Sequence, residues 1–284
     1  MPRAKNGSVE IEYQSFGDEN ADTMLLVNGL GSQMTRWPEA FCELLVAKGY
    51  RAIRFDNRDV GLSSRPAEKY TLADMANDGI AVLDAAGVQQ AHIAGVSMGG
   101  MIVQRMALDH RDRVLSMTSI MSTTGAQDAL RSTPEAEAVL NLPPPDPEAD
   151  FEAYVADRVR NMQTIGSPAW PWTEAEARER VIAEYRRAFY PRGVAHQRAA
   201  VGADGDRTAA LGTLTLPVVV LHGADDPLLQ VVGGEATAAA IPGAELRVIP
   251  GMGHDLPPGL YDIFVDAITS AAARAPIPAK MTNA

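Results

Sequence analysis

Ser8-Val9-Glu10-Ile11-Glu12-Tyr13-Gln14-Ser15-Phe16 alternates polar and apolar positions with period two, which predicts a half-exposed edge strand. Thr23-Met24-Leu25-Leu26-Val27 is apolar without alternation, as in a strand buried on both faces, and Arg51-Ala52-Ile53-Arg54-Phe55 predicts the next strand. Between them, residues 37–48 have helical spacing and stop at Gly49, a suitable C-cap. Residues 72–86 are amphipathic and stop at Gly87; a short strand over 90–94, a helix over 101–108 and a strand over 114–121 follow. The alternation then breaks. Residues 122–214 carry helical patterns at 149–163 and 174–189, proline clusters such as the stiff Leu142-Pro143-Pro144-Pro145-Asp146-Pro147, and no convincing strand. It resumes with strands over 216–221 and 246–249, a helix over 234–240 between them, and a last helix over 260–274 before a Pro-containing tail expected to fray.

Strands alternating with helices about every 30 residues predict a mostly parallel sheet covered by helices on both faces, an α/β architecture. The strand-poor stretch then lies between two core strands. Residues 1–121 and 215–284 are expected to form one core domain and 122–214 a helical cap, and no internal repeat is present. Ligands of open α/β sheets bind outside the carboxyl ends of the strands. Those ends carry Asn28-Gly29-Leu30-Gly31, Asp56, Ser97, His222-Gly223-Ala224-Asp225-Asp226 and Gly251-Met252-Gly253-His254.

Composition narrows the partners. An apolar content of 46% with 21% charged residues supports a sizeable core. A net charge of −11 repels phosphate, so neither nucleic acid nor an anionic membrane is expected as a partner. The single cysteine, Cys42, excludes an internal disulfide and a Cys-rich metal site, and its helical context makes it a small core residue. The first residues lack the apolar run of a signal peptide, and no stretch of about 18 apolar residues exists for a membrane span. A soluble, cytoplasmic protein is expected, monomeric or homodimeric, with no metal or organic cofactor.

Gly95-Val96-Ser97-Met98-Gly99 stands between a predicted strand and a predicted helix. A serine at so sharp a turn sits in strained backbone, and the residues two before and two after it must be nearly free of side chain. A Gly-rich joint without chemistry would satisfy the same pentapeptide, so the rest of the chain decides. A serine nucleophile needs a base, and the base needs an acid to hold its tautomer. His92 and His110 are expected to be structural or solvated, His196 exposed on the cap, and His222 bonded to a backbone group. His254, in a Gly-rich loop ahead of a helix, is the candidate base. Asp225 and Asp226 are both candidates for the acid, and an Asx turn ahead of Pro227 is the bland use of either, Asp225 above all. A dinucleotide fingerprint over Gly29-Leu30-Gly31 with Asp56 fails, because Met34 occupies the place of its third glycine.

Gly95-Val96-Ser97-Met98-Gly99-Gly100, Asp56-Asn57-Arg58-Asp59-Val60-Gly61-Leu62-Ser63, His222-Gly223-Ala224-Asp225-Asp226-Pro227 and Pro250-Gly251-Met252-Gly253-His254 together resemble the α/β-hydrolase superfamily. Trp37-Pro38, Arg58-Asp59 and Pro250-Gly251-Met252-Gly253-His254-Asp255-Leu256-Pro257 are most similar to the aclacinomycin methylesterase-like carboxylesterases. The resemblance implies an α/β-hydrolase fold with the cap inserted after the sixth core strand. It also implies a triad in the chain order Ser97, Asp226, His254, since the acid there follows His-Gly and two spacer residues. The Leu30 and Met98 amides, beside Gly29, would form the oxyanion hole. Many relatives have His-Gly where this chain has Asn28-Gly29; the turn works through a backbone N–H, and Asn28 is expected to brace it. The implied activity is hydrolysis of a small-molecule carboxylic ester through an acyl-enzyme. Carbon–carbon bond hydrolases, lactonases, perhydrolases and low-turnover receptors of this fold are alternatives, whereas an aspartate-nucleophile dehalogenase or epoxide hydrolase is disfavoured by Ser97. Trp170-Pro171-Trp172 places two of the three tryptophans in the cap. Either both rings pack the cap onto the sheet, or one of them walls the substrate pocket.

Overall fold

Successive residues of the buried strands face opposite sides of one sheet, which is why residues 24–27 and 218–221 read as unbroken apolar runs. Leu25, Val27, Ile53, Phe55, Val218 and Val220 enter one apolar layer; Met24, Leu26, Ala52, Val219 and Leu221 enter the other. The computed structural model describes residues 2–276. The strands are β1 (Arg3–Asn6), β2 (Val9–Phe16), β3 (Thr23–Val27), β4 (Arg51–Phe55), β5 (Ala91–Val96), β6 (Val114–Ile120), β7 (Val218–Gly223) and β8 (Glu245–Ile249). They form one sheet in the order β1-β2-β4-β3-β5-β6-β7-β8, antiparallel at β1/β2 and β2/β4 and parallel elsewhere.

The helices are α1 (Glu39–Ala47), α2 (Leu72–Ala85), α3 (Met98–Asp109), α4 (Pro134–Asn141), α5 (Phe151–Ile165), α6 (Glu174–Arg187), α7 (Pro191–Asp204), α8 (Thr208–Leu211), α9 (Val232–Ala240) and α10 (Tyr261–Ala273). Met75 and Ile80 of α2 and Ile102 and Met106 of α3 fill the first layer; Phe41 and Leu45 of α1 and Phe264 and Ile268 of α10 fill the second. Cys42 is buried in that second layer. Among the described residues, no helix is long and apolar enough to cross a membrane.

Three sequence expectations change. The stretch 8–16 is not the edge of the sheet: β1 pairs outside it, and Arg3 bonds Glu12 and Glu10 across the hairpin at 3.0 and 3.1 Å. Four residues with two positive charges carry no apolar signal that would have marked β1. Next, α7 escaped notice because its inward residues are Gly193, Gln197 and Ala200, correctly spaced but not large and apolar. The reason is close approach: a Cβ on Gly193 would stand 2.0 Å from the Asp59 carbonyl oxygen. Finally, β5 runs to Val96 because its parallel pairing with β6 continues to Val96 opposite Ile120.

The segment 122–214 contributes helices and no strand among the described residues. Its parts pack differently. α5 and α6 share their own apolar cluster around Tyr154, Val155, Val159, Ala177 and Val181, whereas Ala200, Leu211 and Leu214 join the first core layer. The tail beyond residue 276 lies outside the described residues.

His92 in β5 is buried with Nδ1 2.8 Å from Ser116 Oγ, and burial pushes its imidazole down to about 4. The native state therefore keeps it neutral while the unfolded chain protonates near its ordinary value of 6.5. Stability from this residue is whole above that value and falls by about 3 kcal/mol as the pH drops to its folded value. Urea denaturation at pH 7 and pH 4.5 should show this loss in the parent protein, and a smaller loss in His92→Asn.

Candidate active site

β5 ends at Val96 and α3 starts at Met98, so Ser97 alone makes the turn, with φ 57° and ψ −123°. Side chains rarely adopt that conformation, and hydrogen bonds over-determine it. The Ser97 amide donates to the Ile120 carbonyl at 2.9 Å; its carbonyl accepts from Gly100 N and Ser122 Oγ at 2.9 and 2.8 Å. A Cβ on Gly95 would lie 2.1 Å from the Gly99 oxygen, and one on Gly99 2.3 Å from the Val27 oxygen. The two glycines of the motif are thus required by backbone contact on either side of the serine. Ser97 Oγ has no hydrogen-bond partner among the described residues.

The turn after β3 lies directly on the serine. A Cβ on Gly29 would be 3.1 Å from Ser97 Cβ and 3.6 Å from its Oγ. The Leu30 and Met98 amides donate to no acceptor among the described residues. Asn28 Nδ2 donates to the Phe55 carbonyl at 3.3 Å and the Asn28 carbonyl accepts from Asn57 Nδ2 at 3.0 Å, so Asn28 does brace this turn. Gln197 of α7 accepts the Gly31 amide at 2.8 Å. Asp56, wholly buried, accepts the amides of Met34 and Leu62 at 2.7 and 2.9 Å and binds Arg187 of α6 through both oxygens, at 3.1 and 2.7 Å. Arg187 also holds Gln33 at 2.7 Å, while Gln33 Nε2 takes the Glu184 and Ala188 carbonyls at the end of α6. The only sequence signal for Arg187 was an acid at a strand end that burial obliges to find a cation.

Gly223, where β7 ends, is pressed against the loop carrying His254: a Cβ there would be 2.1 Å from the Met252 oxygen. Asp226 Oδ2 lies 2.7 Å from His254 Nδ1. Its Oδ1 accepts the amides of Leu228 and Leu229, both at 2.9 Å, so Asp226 itself makes the turn that was expected of Asp225. Burial would raise the Asp226 carboxyl, but His254 and His222 outweigh it and hold the group well below the ordinary carboxylate range. As the ionised acid only accepts, His254 Nδ1 is the donor in this bond, and Nε2 has no hydrogen-bond partner among the described residues. Asp225 points elsewhere and accepts the Gly251 amide at 2.7 Å. His222 Nε2 bonds the Leu229 carbonyl at 2.6 Å, and exposed His196 bonds Asp59 at 3.0 Å.

Both tryptophans are half-buried and make packing contacts. Trp170 packs against the second core layer and leaves room only for glycine at position 259, where a Cβ would be 2.4 Å from its ring. Trp172 packs with the α5–α6 cluster, lies under the Arg180 guanidinium, and donates Nε1 to Asp255 at 2.8 Å. None of these partners belongs to the Ser97 turn. Asp255 was missed in the sequence; a carboxylate next to the candidate base is no signal until its burial is known.

A profile of the α/β-hydrolase fold matches residues 22–257. Rhodomycin D methylesterase of Streptomyces peucetius is 30% identical, over 93% of this chain and 95% of its own length. The rhodomycin D methylesterase of Streptomyces sp. strain C5 is also 30% identical, over 92% and 94%. These relatives bear out the closer resemblance read from the Trp37, Arg58 and His254 stretches. A meta-cleavage product hydrolase from Pseudomonas fluorescens IP01 superposes with a TM-score of 0.80 at 20% identity, covering 96% of this chain and 97% of its own, a likeness of fold.

Proposed function

This chain belongs to the α/β-hydrolase fold family, and from that premise we propose that it is a serine hydrolase of small-molecule carboxylic esters. Ser97 is the nucleophile, His254 the general base, Asp226 the acid that orients the imidazole, and the Leu30 and Met98 amides the oxyanion hole. The 2.7 Å bond from His254 Nδ1 to Asp226, at the same sheet edge as the Ser97 turn, supports this reading most directly. It leaves Nε2 as the one ring atom able to take the serine proton.

Ser97 Oγ attacks the ester carbonyl carbon while His254 Nε2 takes its proton. The carbonyl oxygen becomes an oxyanion facing the two free amides. Collapse of that intermediate breaks the bond to the alkoxy oxygen, which leaves as an alcohol with the proton returned by His254. Water then attacks the acyl-Ser97 carbonyl, again losing a proton to His254, and the acid departs as Ser97 is restored. Protons travel by one imidazole and charge is met by amides, so the scheme calls for no cofactor. The methylesterase relatives put methyl esters of larger acids first among candidate substrates.

The purified protein is expected to release p-nitrophenol continuously from p-nitrophenyl acetate or butyrate. In a screen of methyl esters, lactones and carbon–carbon bond substrates, methyl esters should turn over fastest. Tight binding of these compounds with negligible turnover would mark a receptor and overturn the proposal.

A further inference from the structure

The loop that carries His254 is hydrogen-bonded to the segment between α5 and α6 rather than standing free. The His254 amide donates to the Ile165 carbonyl at 2.7 Å, and the Ala169 amide to the Gly251 carbonyl at 3.1 Å. Their approach is as close as backbones allow: a Cβ on Gly253 would be 2.3 Å from the Gly166 oxygen, and one on Gly251 2.4 Å from Ala169 Cβ. Ser167 bridges the two residues that flank the histidine. Its Oγ accepts the Gly253 amide at 2.9 Å and donates to Asp255 Oδ1, and its amide donates to that same oxygen at 3.0 Å. Trp172 Nε1 binds the other oxygen at 2.8 Å.

We propose that Asp255, held by Ser167 and Trp172, is a positioning residue that fixes the backbone of His254 from the cap side. The proposal rests on the reading of His254 as the base. Asp226 grips the imidazole only at Nδ1, which still allows the ring and its loop to move together. The bridge at residues 253 and 255 removes that freedom and sets where Nε2 stands relative to Ser97. Burial raises the Asp255 carboxyl from its ordinary value, and the donors from Ser167 and Trp172 offset part of that rise. A half-buried acid with each oxygen bonded to a fixed donor is a suitable anchor for a loop.

Ser167→Ala, Asp255→Asn and Trp172→Phe separate anchoring from folding. With p-nitrophenyl acetate, kcat is expected to fall by about 10- to 100-fold in the first two, the scale of a misplacement near 1 Å. KM should change by no more than about twofold, and Ser167→Thr, which keeps the hydroxyl, should recover most of the loss. The far-downfield proton signal of His254 Nδ1–H, read by NMR without substrate, should broaden in Ser167→Ala and persist in the parent. Parental kcat and an unchanged signal in folded Ser167→Ala and Asp255→Asn would overturn the proposal. So would losses that vanish on assay well below each variant's Tm, which mean a merely structural role. Turnover retained in Ser97→Ala would instead defeat the hydrolase reading, and the substrate-free signal keeps the two failures apart.

Discussion

Ser97→Ala is expected to lower kcat for p-nitrophenyl acetate by about 10⁶-fold, the scale seen when a triad serine is removed. The fold should be untouched, because Ser97 Oγ bonds nothing among the described residues while its backbone amide and carbonyl, which do the structural work, are retained by alanine. The Tm should therefore stay within a few degrees of the parent. A fluorophosphonate should add one label to the parent, at Ser97 by mass spectrometry, and none to the variant. Near-parental turnover in the folded variant would remove Ser97 from the mechanism.

Asp226→Asn is expected to cost about 10⁴-fold in kcat, and the reason lies in both of its oxygens. The position of Oδ1 faces two amide donors, Leu228 N and Leu229 N, so the asparagine oxygen is drawn there. Its NH₂ group is then turned toward His254 Nδ1, which must become the acceptor, and the ring hydrogen moves to Nε2. That nitrogen can no longer take a proton from serine. Asp225→Asn keeps an oxygen for the Gly251 amide and should change kcat by no more than a few-fold. A crippled Asp225→Asn beside an active Asp226→Asn would reverse the assignment. The depressed Asp226 carboxyl also has a stability consequence. Its pairing stabilises the fold fully above the ordinary aspartate value of 3.8 and is lost as the pH falls below it, through the folded value.

What was legible in the chain was whatever depends on near neighbours. The helices α2, α5 and α6 announced themselves by period, and the central strands by unbroken apolar runs. The glycines around Ser97 were readable because their requirement is a backbone clash within a few residues, or with the strand beside them. α7 and β1 were not, since one buries glycine, glutamine and alanine, and the other is four residues held by cross-strand charge. The tryptophans of 170–172 show what composition leaves open: two aromatic rings close together suit a pocket wall or packing alike, and only the structure shows their neighbours, Gly259 for Trp170 and the α5–α6 cluster for Trp172.

By itself, then, the sequence determined the α/β alternation, the turn at Ser97 and the candidates Asp225, Asp226 and His254, because each is written in a local pattern of period, glycine or loop. The family resemblance already pointed to Asp226 rather than Asp225, and the structure places it 2.7 Å from His254 Nδ1. Only the tertiary structure decided that Arg187 answers Asp56 across 131 residues, and that Ser167 and Asp255 join across 88. Such pairs have no period and no spacing. They arise where folding removes water from a charged or polar group and leaves it dependent on whichever donor the packing brings within reach.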